Sequence, residues 1–168
     1  FRSASDMKYY FENDGYCVCC DKNVKFIATN SWYRDNYICS NCKSIPRERA
    51  LMYLIEKFYP NYNLLDIHES SPCKRGASLK LQNKCPNYIA SQYYGESDKG
   101  KIINGYRNEN LESQTFEDES FDLVITQDVM EHIFNPQSAF REIARTLKPG
   151  GAHIFTVPLI NKERTTEC

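Results

Sequence analysis

The chain has 168 residues, room for one ordinary domain or for a small module plus a modest α/β core. Hydrophobic residues make up 41% and charged ones 26%, which excludes a disordered chain, and the net charge of −1 gives no electrostatic reason to expect nucleic acid or an anionic membrane. No apolar run approaches the roughly 20 residues of a membrane span, and no signal-like segment opens the chain, so a cytoplasmic protein without a membrane partner is expected.

Eight cysteines are present, and they cluster. Cys17 and Cys20 form one C-x2-C pair, Cys39 and Cys42 another, while Cys73, Cys85 and Cys168 are scattered. The spacing matches a four-cysteine structural zinc site, because each pair closes a tight turn that can place two thiolates on one metal. Between the pairs, residues 24–28 and 31–38 read as strands of a hairpin joined across Thr29-Asn30. Cys19 is expected outside the ligand set, since a C-x-C pair strains the turn. Two disulfides, or reduced thiols without metal, are the alternatives for the four cysteines. A zinc-ribbon-like module over residues 1–44 follows. Lys43, Arg47 and Arg49 make its end mildly basic, which acidic neighbours dilute.

Ser44 reads as the N-cap and Pro46 as the first turn of a linking helix, with Ala50, Leu51, Leu54, Ile55 and Phe58 on its apolar face and Pro60 ending it. Residues 63–67, NLLDI, read as the first parallel strand. The loop His68-Glu69-Ser70-Ser71-Pro72 follows, with Ser70 or Ser71 as N-cap of the next helix. Residues 87–96 are strand-like up to about Ser91. Gln92 closes that run, and Glu96 lies a few residues later. The Tyr93-Tyr94 pair suits either stacking on a purine or half-buried packing.

Asn110-Leu111-Glu112 precedes Phe116, and Asn110 reads as a loop asparagine capping a turn. Glu117, Asp118 and Glu119 form a solvated turn. FDLVIT, residues 121–126, is a buried strand. Asp128 and Glu131 fit a capping box at a short helix, with His132 one turn after Asp128. His132 is the candidate general base, against a packed structural role. Asn135-Pro136 opens an amphipathic helix whose buried face is Ala139, Phe140, Ile143, Ala144 and Leu147. Lys148-Pro149-Gly150-Gly151 stops it, and AHIFTVP returns as a strand.

FEDESFDLV, VMEHI and REIARTLKPGG resemble the central block of class I S-adenosylmethionine-dependent methyltransferases, the Rossmann-like group that methylates small molecules. The resemblance implies an α/β fold: a Rossmann-like methyltransferase sheet over residues 45–168, preceded by the small zinc-ribbon β module. It implies S-adenosylmethionine as cofactor, besides the structural Zn2+. It places cofactor contacts at Asp66, His68, Glu69, Ser70, Gln92, Asn110, Leu111 and Gln127, with His132 as catalytic candidate and Cys17, Cys20, Cys39 and Cys42 on the metal. His68, Ser70 and Pro72 stand where the family has glycines, and Ser91 and Gln92 where it has an acid. A full family member continues past the AHIFTVP strand, whereas only Leu159 to Cys168 remain here. With Phe1 in place of Met, a fragment truncated at its C-terminus is expected. The implied function is methyl transfer to a small acceptor, a small molecule or a glycan- or lipid-linked intermediate. The alternative is a non-catalytic binding or assembly protein of the same fold, which would take a protein partner.

Overall fold

The computed structural model describes residues 11–158; residues 1–10, the start of the expected 1–44 module, and residues 159–168 lie outside it. Two sheets make the frame. The first is antiparallel and three-stranded: β1 (Phe11–Cys17), β2 (Lys22–Ala28) and β3 (Tyr37–Cys39). The second has six strands in the order β6-β7-β5-β4-β8-β9, with β4 (Ile67–Ser70), β5 (Tyr88–Gln92), β7 (Tyr106–Asn108), β8 (Phe121–Gln127) and β9 (Leu147–Thr156) parallel. β6 (Ile102–Ile103) pairs antiparallel to β7 at the edge. This is a doubly wound order with its reversal at β4, the arrangement that leaves a crevice beyond the carboxyl ends of the central strands.

Side-chain alternation along β8 splits the core into two layers. Leu123 and Ile125 face helices α2 (Pro46–Phe58) and α3 (Gly76–Lys84), while Val124 faces α4 (Pro136–Thr146). Cys17, Cys19, Phe26 and Cys39 join Leu51, Met52, Ile55, Ile67 and Leu81 in the first layer, so the cysteine module and the main sheet share one apolar core. Lys80 ties them by charge as well. Its buried ammonium donates to the Val18 carbonyl at 2.7 Å, to Asp21 at 2.5 Å and to Glu56 at 2.6 Å.

Several elements differ from the sequence expectation, each for a long-range reason. Residues 33–36 form a short helix, α1 (Tyr33–Asn36), instead of continuing a strand. Asn36 Nδ2 donates to the Trp32 carbonyl, and the Trp32 indole donates to Asp35, which locks that turn. β1 has no apolar pattern to announce it; pairing with β2 along its whole length makes it a strand. Ser44 does not cap α2; its hydroxyl lies 3.4 Å from the Cys17 sulfur, and Glu48 instead accepts from the Ile45 amide at 3.1 Å. Of the expected α2 face, Leu51 and Ile55 are buried, whereas Ala50, Leu54 and Phe58 are exposed.

The first parallel strand is shifted toward the C-terminus, to residues 67–70, so His68, Glu69 and Ser70 lie in the strand and not in a loop. Asp66 anchors its base through an ion pair with Lys148 and through its amide, which donates to Asp122 at 2.8 Å. The following helix starts at Gly76, not after Ser70 or Ser71. Asp128 forms no capping box; only a 3-10 turn, Met130–His132, follows β8. In α4, Ala139 and Ile143 are buried, while Phe140 packs edge-on against His153 and Phe155 of β9 and Ala144 is exposed.

Candidate functional site

A cavity of about 430 Å3 opens beyond the carboxyl ends of β4, β5 and β8, where the strand order reverses. Ser70 and Ser71 form its floor at the tip of β4, with Gln92 and Tyr93 at the end of β5. Asn110, Leu111 and Glu112 line one side; Gln127, Asp128 and the 3-10 turn carrying His132 line the other. Its size is in the range of small-molecule pockets, about 300–1,000 Å3.

Ser71 has φ +53°, the left-handed region, and its amide donates to the Ser91 carbonyl at 2.8 Å. The sharp exit from β4 that glycine usually provides is thus made by serine, at a strain of order 1–2 kcal/mol. Glu112 accepts from the amides of Phe134 at 3.0 Å and Asn135 at 3.2 Å, which fixes the loop on the far rim. Asn110 accepts from the Glu112 amide at 2.9 Å and donates to Glu96 at 2.7 Å, so it caps its turn while lining the cavity.

Beneath the floor lies Glu69, fully buried, accepting from Ser78 and Tyr88 hydroxyls at 2.7 Å each and from Gln127 Nε2 at 2.8 Å. Burial raises its carboxyl pKa, against the lowering effect of those three bonds. The bond to Glu69 orients the Gln127 amide. Its Oε1 is buried and has no hydrogen-bond partner among the described residues. A buried acceptor beside a cavity, left without a donor, is the feature expected where a ligand completes the network.

The residues expected as cofactor contacts therefore divide. Ser70, Gln92, Asn110, Leu111 and Gln127 line the cavity, and His132 stands at its rim. Asp66, His68 and Glu69 do not line it. Asp66 is at the opposite end of the strand beside Lys148. His68 and Glu69 point into the two layers of the core, because in-strand side chains alternate across the sheet. Tyr93, read as a stacking or a packing residue, lines the cavity too, and Ser71 and Glu112 are lining residues that the sequence does not mark as contacts. The polar strand end and the left-handed Ser71 carry no apolar or glycine signal.

His68 is sealed between Phe116 and Phe121, with Nε2 2.8 Å from the Ser91 hydroxyl. Burial, then the nearby Arg107 cation, push its pKa down from 6.5 to about 3. His153 is likewise lowered by burial, to about 4. The unfolded chain binds these protons more readily, so the stability they contribute is complete above about pH 6.5 and is lost as the pH falls toward 3. Thermal unfolding followed between pH 6.5 and 5 is expected to show a falling midpoint. The slope should be shallower in His68→Gln; an unchanged slope would exclude this residue as a source.

At the other end of the chain's first sheet, the sulfurs of Cys17, Cys20, Cys39 and Cys42 all lie within 4.8 Å of one another. Two of the separations are 3.7 Å (Cys17 to Cys42) and 3.9 Å (Cys20 to Cys39), too long for disulfides. A tetrahedron of thiolates about 2.3 Å from one ion has edges of about 3.8 Å, so the four thiols fit a closed metal site. Cys19 points away, its sulfur 3.6 Å from the Glu48 carbonyl.

A protein-family profile described as a methyltransferase domain matches residues 83–155. The sarcosine/dimethylglycine N-methyltransferase of Aphanothece halophytica is 33% identical over 82 residues, covering 49% of this chain and 28% of that protein. A candidate methyltransferase from Bacillus halodurans superposes with a TM-score of 0.50 at 19% identity, over 62% of this chain and 49% of that one. The YcgJ protein of Bacillus subtilis gives a TM-score of 0.50 at 20% identity, over 63% and 49%. The chain thus spans about half the length of these structures and a smaller part of the curated relative. Sheet order and cavity position agree with the Rossmann-like α/β fold of these structures, and residues 83–155 are similar to a methyltransferase domain, behind an antiparallel sheet with a four-cysteine cluster.

Proposed function

We propose that this chain binds S-adenosylmethionine in the cavity above β4 and β8 and transfers its methyl group to a small molecule or a glycan- or lipid-linked intermediate. The observation that carries the reading is the unpartnered, buried Gln127 Oε1 at the carboxyl end of β8, inside a cavity at the switch point of a doubly wound sheet. Gln127 would accept from the cofactor's amino-acid portion. Gln92 and Asn110 offer neutral hydrogen bonds to its sugar and base, and Tyr93, half-exposed at the rim, offers a face for stacking. When bound, the cofactor supplies an electrophilic methyl group on a sulfonium. The chain's own contribution is alignment, since an in-line displacement gains most from holding donor and acceptor together. His132, exposed at the rim, would take a proton from an acceptor in this reading. In this reading the four cysteines hold a structural zinc ion with no open coordination position.

Titration calorimetry with S-adenosylhomocysteine tests the reading. Saturable binding is expected, weakened about tenfold or more in Gln127→Leu, the loss of one buried hydrogen bond to a charged group. Binding without turnover on any acceptor would favour the non-catalytic alternative.

A further inference from the structure

Four charges from three parts of the chain meet at the cavity wall. Arg34 comes from α1 in the cysteine module, between the two cysteine pairs, and Arg47 from the first turn of α2. Arg34 pairs with Asp128 and, at 3.0 Å, with Asp35. Arg47 lies 2.5 Å from Asp35 and 3.3 Å from Asp128. Asp128 lines the cavity at the end of β8, with φ +51°, a conformation unfavourable for a residue with a Cβ. Its carboxylate also accepts from the Thr156 hydroxyl at 2.8 Å. Side chains with long-range partners thus hold a strained wall residue in place.

A second tie runs on the other side. Lys80 on α3 donates to the Val18 carbonyl and to Asp21, next to the first cysteine pair, and Lys84 reaches Asp21 at 3.0 Å. α3 follows directly on the segment that leaves the cavity floor at Ser71. The cysteine module is therefore fixed both to the cavity wall at Asp128 and to the helix that follows β4.

We propose that Arg34 and Arg47 are positioning residues for the cavity: they set Asp128, so that metal occupancy at the four cysteines and ligand occupancy of the cavity favour each other. The proposal rests on the cofactor and zinc reading above. Coupling of this kind is reciprocal, and amounts to about 5- to 150-fold in affinity where it is found. The single tryptophan reports on it directly, because the Trp32 indole donates to Asp35, at the centre of the network, at 2.9 Å.

The experiment follows zinc release from the whole chain to a colorimetric chelator, together with Trp32 fluorescence. Without ligand, Asp128→Asn and Arg34→Gln should release zinc about fivefold faster than the wild type. Saturating S-adenosylhomocysteine should slow wild-type release about fivefold or more and change Trp32 emission. In either variant that slowing should fall below about twofold. Equal release rates in wild type and variants without ligand, or equal slowing by ligand in all three, overturns the coupling. If calorimetry shows that S-adenosylhomocysteine does not bind, the cofactor reading and the coupling to it fail together, and the ligand-free rates decide separately whether the Arg34–Asp128 network supports the cysteine site.

Discussion

Replacing Cys39 by serine is expected to abolish zinc binding and to unfold the first sheet along with it. The antiparallel sheet is small, and β3 contributes only Tyr37–Cys39 to it. Burial of so little surface does not offset the ordering cost of its chain. Metal binding at the four thiols would supply the difference, with apparent free energies of about 10–16 kcal/mol for structural zinc sites, comparable to the whole stability of a domain. The damage should spread, because Cys17, Cys19 and Cys39 sit in the same core as Met52, Ile55 and Leu123. Metal analysis and thermal unfolding of the purified variant measure both effects. An unchanged zinc stoichiometry with an unchanged unfolding midpoint would show that the cluster is not a metal site.

The second large effect is expected at Gly76. Its φ is +55°, and a Cβ there would fall 2.3 Å from Glu48 Oε2 and 3.1 Å from the Ser44 Cβ. The Glu48 carboxylate cannot swing aside. It is buried, accepts from the Ile45 amide, and pairs with Arg75 at 3.0 Å. Gly76→Ala therefore combines left-handed strain with overpacking, about 2–5 kcal/mol together. Denaturant unfolding is the check, and a loss under about 1 kcal/mol would mean that the α2–α3 contact relaxes without cost.

What can be read from the sequence follows from how local each signal is. The two C-x2-C pairs and the β8 strand are legible, because turn geometry and an apolar run depend on neighbouring residues. The four-cysteine cluster needs nothing beyond spacing to be expected, and the sulfurs do converge. The residues at β4 are misplaced by pattern because NLLDI is apolar while the strand itself is His-Glu-Ser-rich. Buried polar residues are satisfied by distant partners, in this strand Ser91, Ser78, Tyr88 and Gln127, which no local pattern announces. Asp128 and Glu131 have the pattern of a capping box, but Arg34 lies 94 positions away from Asp128 and claims its carboxylate. The absent glycines of the β4 loop are a real departure. Of their replacements, His68 points into the core and Pro72 lies outside the cavity lining, so only the small side chain of Ser70 faces the cavity, while Ser71 takes up the left-handed turn.

In the proposed function, the cavity at the ends of β4, β5 and β8 holds S-adenosylmethionine despite that rewritten loop. Calorimetric titration of the zinc-loaded chain with S-adenosylhomocysteine tests it most directly. Saturable binding that weakens in Gln127→Leu is the predicted result; no heat at millimolar ligand, with the protein folded and metal-loaded, would contradict it.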